Sequence, residues 1–467
     1  MTIKRIGVLT AGGDTPALNA TLHGIVASAN QLEIEVVGLI NGFEGLFRRS
    51  APHVRLNPQF IPIPELDPAR GGSIIGSSRH YVHPDDKQKL ELVRTTVGRL
   101  SLDGMICVGG DGTLNAIQPL SEVLPCVLAP KTIDNDLGLN THDEASRWTR
   151  RPADPNDAGP LYDYEQRPHS DVEPLDLEGI VNYVTPGFAT AVFVAADGVG
   201  RIRTTAESHR RVAIVEMMGR HSGYIALGSA YGRPDIVLIP ESPLDMELLA
   251  ARVEEIYRLQ RNVVIVCGEG IVDGQGDELG ARQETTDPAG NLLLSGAAVR
   301  LESLLSETLG DTLFQDLGGH RDADAAIFTR KVGHTQRGGR PVLFDRYHAS
   351  QLGAKAVELL TNGTTNQVAT IQWSADAGFS LGSHPGELFR DSWGVIHARR
   401  VDPSFYDSSL LQISAHGASY LKNIFRDAIG AEDVEFIRQS LFDSGNLDEP
   451  YRSVTVEMQR RVSFLDE

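Results

Sequence analysis

Five times in this sequence an apolar run of strand character stops at a glycine- or charge-rich loop, and no other feature constrains the fold as much. Ile6 to Ala11 runs into Gly12-Gly13-Asp14, Asp103 to Val108 into Gly109-Gly110-Asp111-Gly112, and Pro125 to Ala129 into the segment Pro130 to Asp136. Val212 to Glu216 leads to Met218-Gly219-Arg220, and Asn262 to Cys267 to Gly268-Glu269-Gly270. Helical patterns follow at least three of them, over 16–29, 113–123 with a break expected at Pro119, and 222–230. Short buried strands alternating with helices predict an α/β chain with mostly parallel sheets. In such sheets ligands collect beyond the carboxyl ends of the strands, where all five loops would lie.

The chain has 467 residues, about three times the roughly 150 of one domain. The strand–helix pattern divides it into 1–137, completed by about 332–365, and a second series over 181–331. Between them, 138–180 reads as a surface insertion, with ten acidic residues and five prolines from Gly138 to Glu178. Residues 366–467 read as a C-terminal extension whose residues reveal no role. Net charge is −19, from 62 acidic residues against 43 lysines and arginines. A field of one sign repels nucleic-acid backbones and anionic membrane surfaces, so neither is expected as a partner. No stretch approaches the roughly 18 apolar residues of a spanning helix, and the chain opens directly on a strand, so a cytoplasmic location is expected. Cys107, Cys126 and Cys267 lie within apolar runs without a Cys-x-x-Cys pair, and are expected to be buried small hydrophobes.

The loops carry the chemistry. Gly12-Gly13-Asp14-Thr15-Pro16 would let backbone N–H groups approach a phosphate at a helix start, with Asp14 or Thr15 as the cap; a plain tight turn explains it equally well. Gly109-Gly110-Asp111-Gly112-Thr113 adds a carboxylate that either holds Mg²⁺ on a polyphosphate or caps the helix. The segment Pro130-Lys131-Thr132-Ile133-Asp134-Asn135-Asp136 gathers a lysine, a hydroxyl and two carboxylates. Phosphoryl transfer needs a carboxylate to take the acceptor proton and donors to hold the moving group, whereas the alternative is an Asx-turn with solvated charges. Arginine forks suited to phosphate follow in Glu207 to Arg211, Met218 to Arg220 and Gly333 to Gly339.

Taken together the sequence resembles the 6-phosphofructokinase family, in both its ATP-dependent and pyrophosphate-dependent branches. Seven motifs match in family order: Gly12 to Pro16, Gly71 to Arg79, Gly109 to Thr113, Pro130 to Asp136, Glu207 to Arg211, Glu216 to Arg220 and Gly333 to Gly339. The resemblance implies two Rossmann-like domains with the active site in the cleft between them, the first binding donor and Mg²⁺ and the second fructose 6-phosphate. It makes Asp134 the base for the sugar 1-hydroxyl, Asp111 the Mg²⁺ carboxylate, and Thr132 and Arg220 the groups that stabilise the moving phosphoryl. Gly12, Arg79, His80, Gly110, Gly112 and Thr113 match donor positions. Met218, Gly219, Glu269, His334 and Arg337 match sugar-phosphate positions, and Arg211 one that reaches in from a neighbouring subunit. A homo-oligomer, dimer or tetramer, is therefore implied.

Donor choice in the family tracks Gly112 and Lys131. Pyrophosphate users resemble this chain at Lys131 but carry aspartate in place of Gly112; simple bacterial ATP users carry glycine at both. A missing side chain leaves room for a nucleotide, so ATP is expected and pyrophosphate is the alternative. Phe328 stands where relatives place an arginine, with Arg330 or Lys331 as substitutes in a shifted register. His23 and Ala27 stand at effector-arginine positions, which argues against effector control in the simple bacterial style. NAD kinases and lipid kinases share a Gly-Gly-Asp-Gly-Thr loop but are not expected to carry the Arg220 and His334–Arg337 motifs. A nicotinamide dehydrogenase lacks support, since no strand-linked Gly-x-Gly-x-x-Gly is evident. A non-catalytic regulatory subunit is countered by the presence of Asp111, Thr132, Asp134 and Arg220.

Overall fold

A computed structural model describes residues 3–83, 86–153, 161–167, 174–286, 292–294, 296–436, 439–440, 442–448 and 450–466. The first sheet starts with β1 (Arg5–Ala11), followed by α1 (Leu18–Gln31), β2 (Glu35–Leu39), β3 (His53–Arg55) and the short β4 (Ser77–Ser78). It continues with β5 (Gly104–Gly109), α2 (Asp111–Ser121) and β6 (Cys126–Pro130). The strands β1, β5 and β6 are wholly or almost wholly buried, which is why they read as unbroken apolar runs rather than alternating ones. In space β1 lies between β2 and β5, all parallel, so the chain reverses its direction of travel across the sheet beside β1. The loops after β1 and β5 diverge there and open a crevice.

The second sheet follows the long helix α3 (Phe188–His209) and contains β7 (Val212–Met217), β8 (Ile236–Leu238), β9 (Val263–Gly268) and β10 (Ile327–Lys331). Its order is β8-β9-β7-β10, all parallel, so the loops after β7, β9 and β10 share one end. The chain then returns to the first sheet through α4 (Leu343–Thr361), which packs on α1. The contact is close because a Cβ on Gly24 would fall 1.9 Å from the Ser350 carbonyl oxygen, and one on Gly353 2.3 Å from that of Thr21.

Several expectations change at this level. The first sheet continues past residue 365: β11 (Gln367–Ser374) pairs parallel with β6, and β12 (Gly378–Pro385) folds back on it. Val368 to Ile371 are buried, and without a glycine-rich loop after them this strand resembled irregular sequence. The insertion contains an antiparallel hairpin, Trp148–Pro152 with Tyr162–Gln166, and its ends are pinned together by paired backbone bonds between Leu139 and Val181. Residues 154–160 and 168–173 of it lie outside the described residues. The helix α1 starts at Leu18 with Ala17 at its cap position, so neither Asp14 nor Thr15 caps it. The turn through Pro16 takes up two residues before the helix begins. α2 starts at Asp111 rather than Thr113 and runs through Pro119. The three cysteines are free and buried, as expected. Among the described residues no helix is long and apolar enough to cross a membrane.

Candidate active site

The loop ends of the two sheets face one another across a cleft of about 480 Å³. From the first sheet it is lined by Gly12, Arg79, His80, Gly110, Asp111, Gly112, Thr113, Lys131, Thr132, Asp134 and Asp136. Met218, Arg220, Glu269, His334 and Arg337 line it from the second sheet side. Of the residues expected in the site, Gly219 contributes backbone between two lining residues. Arg211 lies outside, at the amino end of β7, opposite the end where the loops gather. Its guanidinium lies 6.0 Å from the Phe328 ring centroid, and that of Arg330 lies 5.2 Å from the same ring. Arg330 thus joins Arg211 beside Phe328, whereas Lys331, next along the alternating strand, lines the cleft.

On the side of the first sheet, Gly110 occupies the cap position of α2 without a side-chain bond, and Asp111 is exposed in the first turn. Capping therefore does not engage the Asp111 carboxylate. The start of α2, Gly110 to Thr113, lines the same space, and the first N–H groups of a helix are a natural seat for phosphate oxygens. A Cβ on Gly112 would meet nothing within 4 Å. Among the described residues no cluster of three or more His, Cys, Asp or Glu forms a ready-made metal site. One exposed carboxylate suits Mg²⁺, which keeps waters and is usually held by one or two carboxylates together with substrate phosphates.

The loop after β6 is over-determined. Asn135 adopts a left-handed conformation with φ of 57°. Its side chain accepts from Thr185 N at 3.0 Å and donates to the Tyr420 hydroxyl at 2.7 Å, which anchors the residue between the two aspartates. The Asp134 backbone N–H donates to Thr132 Oγ1 at 3.1 Å. One carboxylate oxygen each of Asp134 and Asp136 is enclosed with no hydrogen-bond partner among the described residues. Buried oxygens of this kind normally have a partner, so these two are poised for a ligand.

Arg337 crosses between the sheets: its Nη1 donates to the Asp14 carbonyl at 3.3 Å, and a Cβ on Gly13 would lie 2.4 Å from that same nitrogen. Gly13 thus leaves room for the arginine. Its loop is held by buried Gln336, whose Oε1 accepts from Met218 N at 3.0 Å. Lys131 is buried and donates to the Gly13 carbonyl. Burial, reinforced by Arg337, lowers the Lys131 pKa to about 8 against the pull of Asp14, Asp111 and Asp136. Burial also raises the Asp134 pKa, with Arg337, Arg220 and Lys131 opposing and Asp111 adding to it. Asp136 is raised to about 7 by burial and then by Asp134 and Asp111. A carboxylate with a raised pKa is a stronger base, and such perturbed groups cluster at reactive sites.

The motifs did not reveal the support beneath this loop. Arg399, from the C-terminal extension, is 1% exposed. It donates to the Asn135 carbonyl from Nε at 3.1 Å and Nη2 at 2.7 Å, and to the Asn182 carbonyl at 2.7 Å. Its own N–H bonds the Asp136 carbonyl at 2.7 Å, and its carbonyl accepts from Ser222 Oγ at 2.8 Å. One residue thereby ties the Asp134 loop to the segment after Arg220. These contacts span up to 264 positions, so no local pattern could have signalled them. Asp136, His221 and Lys331 also line the cleft beyond the expected set.

The model of the family described as Phosphofructokinase matches residues 5–142 and 177–360. An ATP-dependent 6-phosphofructokinase 3 from Streptomyces coelicolor is 35% identical over 414 residues, covering 84% of this chain and 100% of that protein. A pyrophosphate--fructose 6-phosphate 1-phosphotransferase from the same organism is 30% identical over 408 residues, covering 86% and 98%. The solved pyrophosphate-dependent phosphofructokinase from Marinobacter aquaeolei shares the fold, with a TM-score of 0.66 over 92% of each chain at 19% identity. The match runs through both sheets that build the cleft, and relatives named for either donor align over nearly their whole length; the chain belongs to the phosphofructokinase family.

Proposed function

We propose that this enzyme transfers the γ-phosphoryl group of ATP to the 1-hydroxyl of fructose 6-phosphate, giving fructose 1,6-bisphosphate, the phosphofructokinase step of glycolysis in the cytoplasm. The observation that carries this reading is the convergence in one cleft of Asp111, Thr132 and Asp134 from one sheet with Arg220, His334 and Arg337 from the other. That convergence also argues against a non-catalytic subunit.

In this reading Asp134 accepts the 1-hydroxyl proton as the oxygen attacks the γ-phosphorus, and the bond to the leaving ADP oxygen breaks in line. Arg220 and Thr132 hold the equatorial oxygens as their charge redistributes, which is where catalysis of phosphoryl transfer mostly lies. Asp111 would hold Mg²⁺, whose bound charge would neutralise the donor phosphates. Gly12, Arg79, His80 and the turn Gly110 to Thr113 seat the donor. Met218, Gly219, Glu269, His334 and Arg337 seat the sugar phosphate. Arg211, outside its own chain's cleft, is assigned to the site of a neighbouring copy in a homo-oligomer, with Arg330 beside it in the role left open by Phe328.

ATP is preferred because Gly112 opens onto empty space. Pyrophosphate is the second reading, favoured by the buried Lys131 ammonium among the donor loops. Parallel assays of fructose 6-phosphate phosphorylation with each donor, on wild type and Gly112→Asp, distinguish the two. Wild type should use ATP, and the variant should lose at least about tenfold in kcat/KM for ATP, since even one displaced contact of about 1.4 kcal/mol has that effect. Activity of the wild type with pyrophosphate alone would reverse the donor assignment.

A further inference from the structure

One cation in the cleft belongs to none of the family motifs. Lys331 ends β10, and its ammonium lies 2.8 Å from Glu216 Oε1 and 3.7 Å from Glu269 Oε2. The placement follows from the sheet: Lys331 is in register with Glu216 on β7, and β7 pairs with β9 up to Met217 and Gly268, immediately before Glu269. The Glu216 side chain is 2% exposed. Its second oxygen accepts from Gly296 N at 3.2 Å and Ala298 N at 3.1 Å, at the start of the helix Ala297–Gly318. The anchor for the lysine is therefore rigid. The Glu269 side chain is 11% exposed and lines the cleft.

Asp134 and Glu269 line a space that, on the reading above, must admit a phosphorylated sugar, and the buried Glu216 adds a third carboxylate close to Glu269. Uncompensated, their mutual repulsion would drive a proton onto one of them and weaken binding of an anion. We propose that Lys331, anchored on Glu216, is a positioning residue that holds Glu269 as an ionised hydrogen-bond acceptor for the hydroxyls of the sugar phosphate. This proposal rests on the assignment of the cleft to fructose 6-phosphate.

Four charged groups face Glu269: Lys331 from β10, Glu216 from β7, Asp134 from the loop after β6 and Arg337 from the loop after β10. Burial pushes the Glu269 pKa up to about 7, Asp134 and Glu216 push the same way, and Lys331 is the largest opposing influence. Without Lys331 the Glu269 carboxyl stays protonated to higher pH, so at neutral pH the sugar meets less of the charged, stronger acceptor.

The test is steady-state kinetics of the full-length enzyme between pH 7 and 9, above the second ionisation near 6 of a phosphate monoester. Lys331→Met should raise KM for fructose 6-phosphate about fivefold at pH 7, since a rise of about one unit from about 7 cuts the ionised fraction of Glu269 from about one half to about one eleventh, and KM should recover as pH approaches 9. The KM of the donor should stay near wild type, while the melting temperature should fall because the buried Glu216 loses its cation. Lys331→Arg should restore both KM and its pH profile. Glu269→Gln should remove the part of the pH dependence that Lys331→Met alters, and Lys331→Met should add nothing to it. A wild-type pH profile in Lys331→Met, or an equal rise in the donor KM, overturns the proposal. Failure of the wild type to phosphorylate fructose 6-phosphate overturns the cleft assignment itself, and this proposal with it.

Discussion

At the residue scale, the base loop shows how much a short motif encodes. The spacing of Lys131, Thr132, Asp134 and Asp136 pointed to phosphoryl transfer, but two carboxylates two positions apart leave their directions open. The left-handed Asn135 between them, pinned by Thr185 and Tyr420, decides that both line the cleft. Asp134→Asn keeps the shape of the side chain and removes the carboxylate proposed as the base. Its kcat should fall by about 10²–10⁴-fold with an unchanged circular-dichroism spectrum and melting temperature. Near-native turnover in that variant would reassign the base. Asp111 was ambiguous between cap and metal carboxylate for a related reason. Both uses place an acidic residue at a helix start, and its exposed position behind a Gly110 cap excludes the capping role.

At the scale of elements, the strands were legible because buried parallel strands must be apolar throughout and must end where backbone approaches ligand. The helix starts were less so. The amino end of α3 carries no cap of its own: Gly187 occupies that position, and the carboxylate that serves it is Asp345, from the first turn of α4. Asp345 Oδ2 accepts from Thr190 N at 2.7 Å and Thr190 Oγ1 at 2.6 Å. Burial raises its pKa from 3.8 to about 6, with the bonds from Thr190 opposing. Between those two pH values the folded state keeps a proton that the unfolded chain releases, so this residue makes stability fall as pH rises from about 4 to 6. Asp345→Asn cannot titrate and should lack that component of the slope. Melting temperatures of both proteins across pH 4 to 7 provide the check, and identical slopes would show that Asp345 stays ionised throughout.

At the scale of the whole molecule, the C-terminal extension changes most between sequence and structure. It supplies two strands to the first sheet, Tyr420 beneath Asn135, and Arg399 between the base loop and the second sheet's segment after Arg220. Arg399→Ala would leave the Asn135 and Asn182 carbonyls buried without that donor. Charge-assisted bonds of this kind contribute about 1.5–3 kcal/mol each, so a loss of at least about 3 kcal/mol is expected in denaturant unfolding. Turnover should fall in the protein that remains folded; an unchanged kcat would mean that the Asp134 loop holds its geometry unaided. The sequence by itself determined the α/β class, the order of the phosphate loops and the residue types of the site, because strand burial, turn chemistry and phosphate recognition act over a few consecutive residues. Tertiary structure alone decided which carboxylates are enclosed, which cation sits beside Glu269, and what supports the base loop. Those depend on burial and on contacts between residues up to hundreds of positions apart, where the chain leaves no local pattern to read.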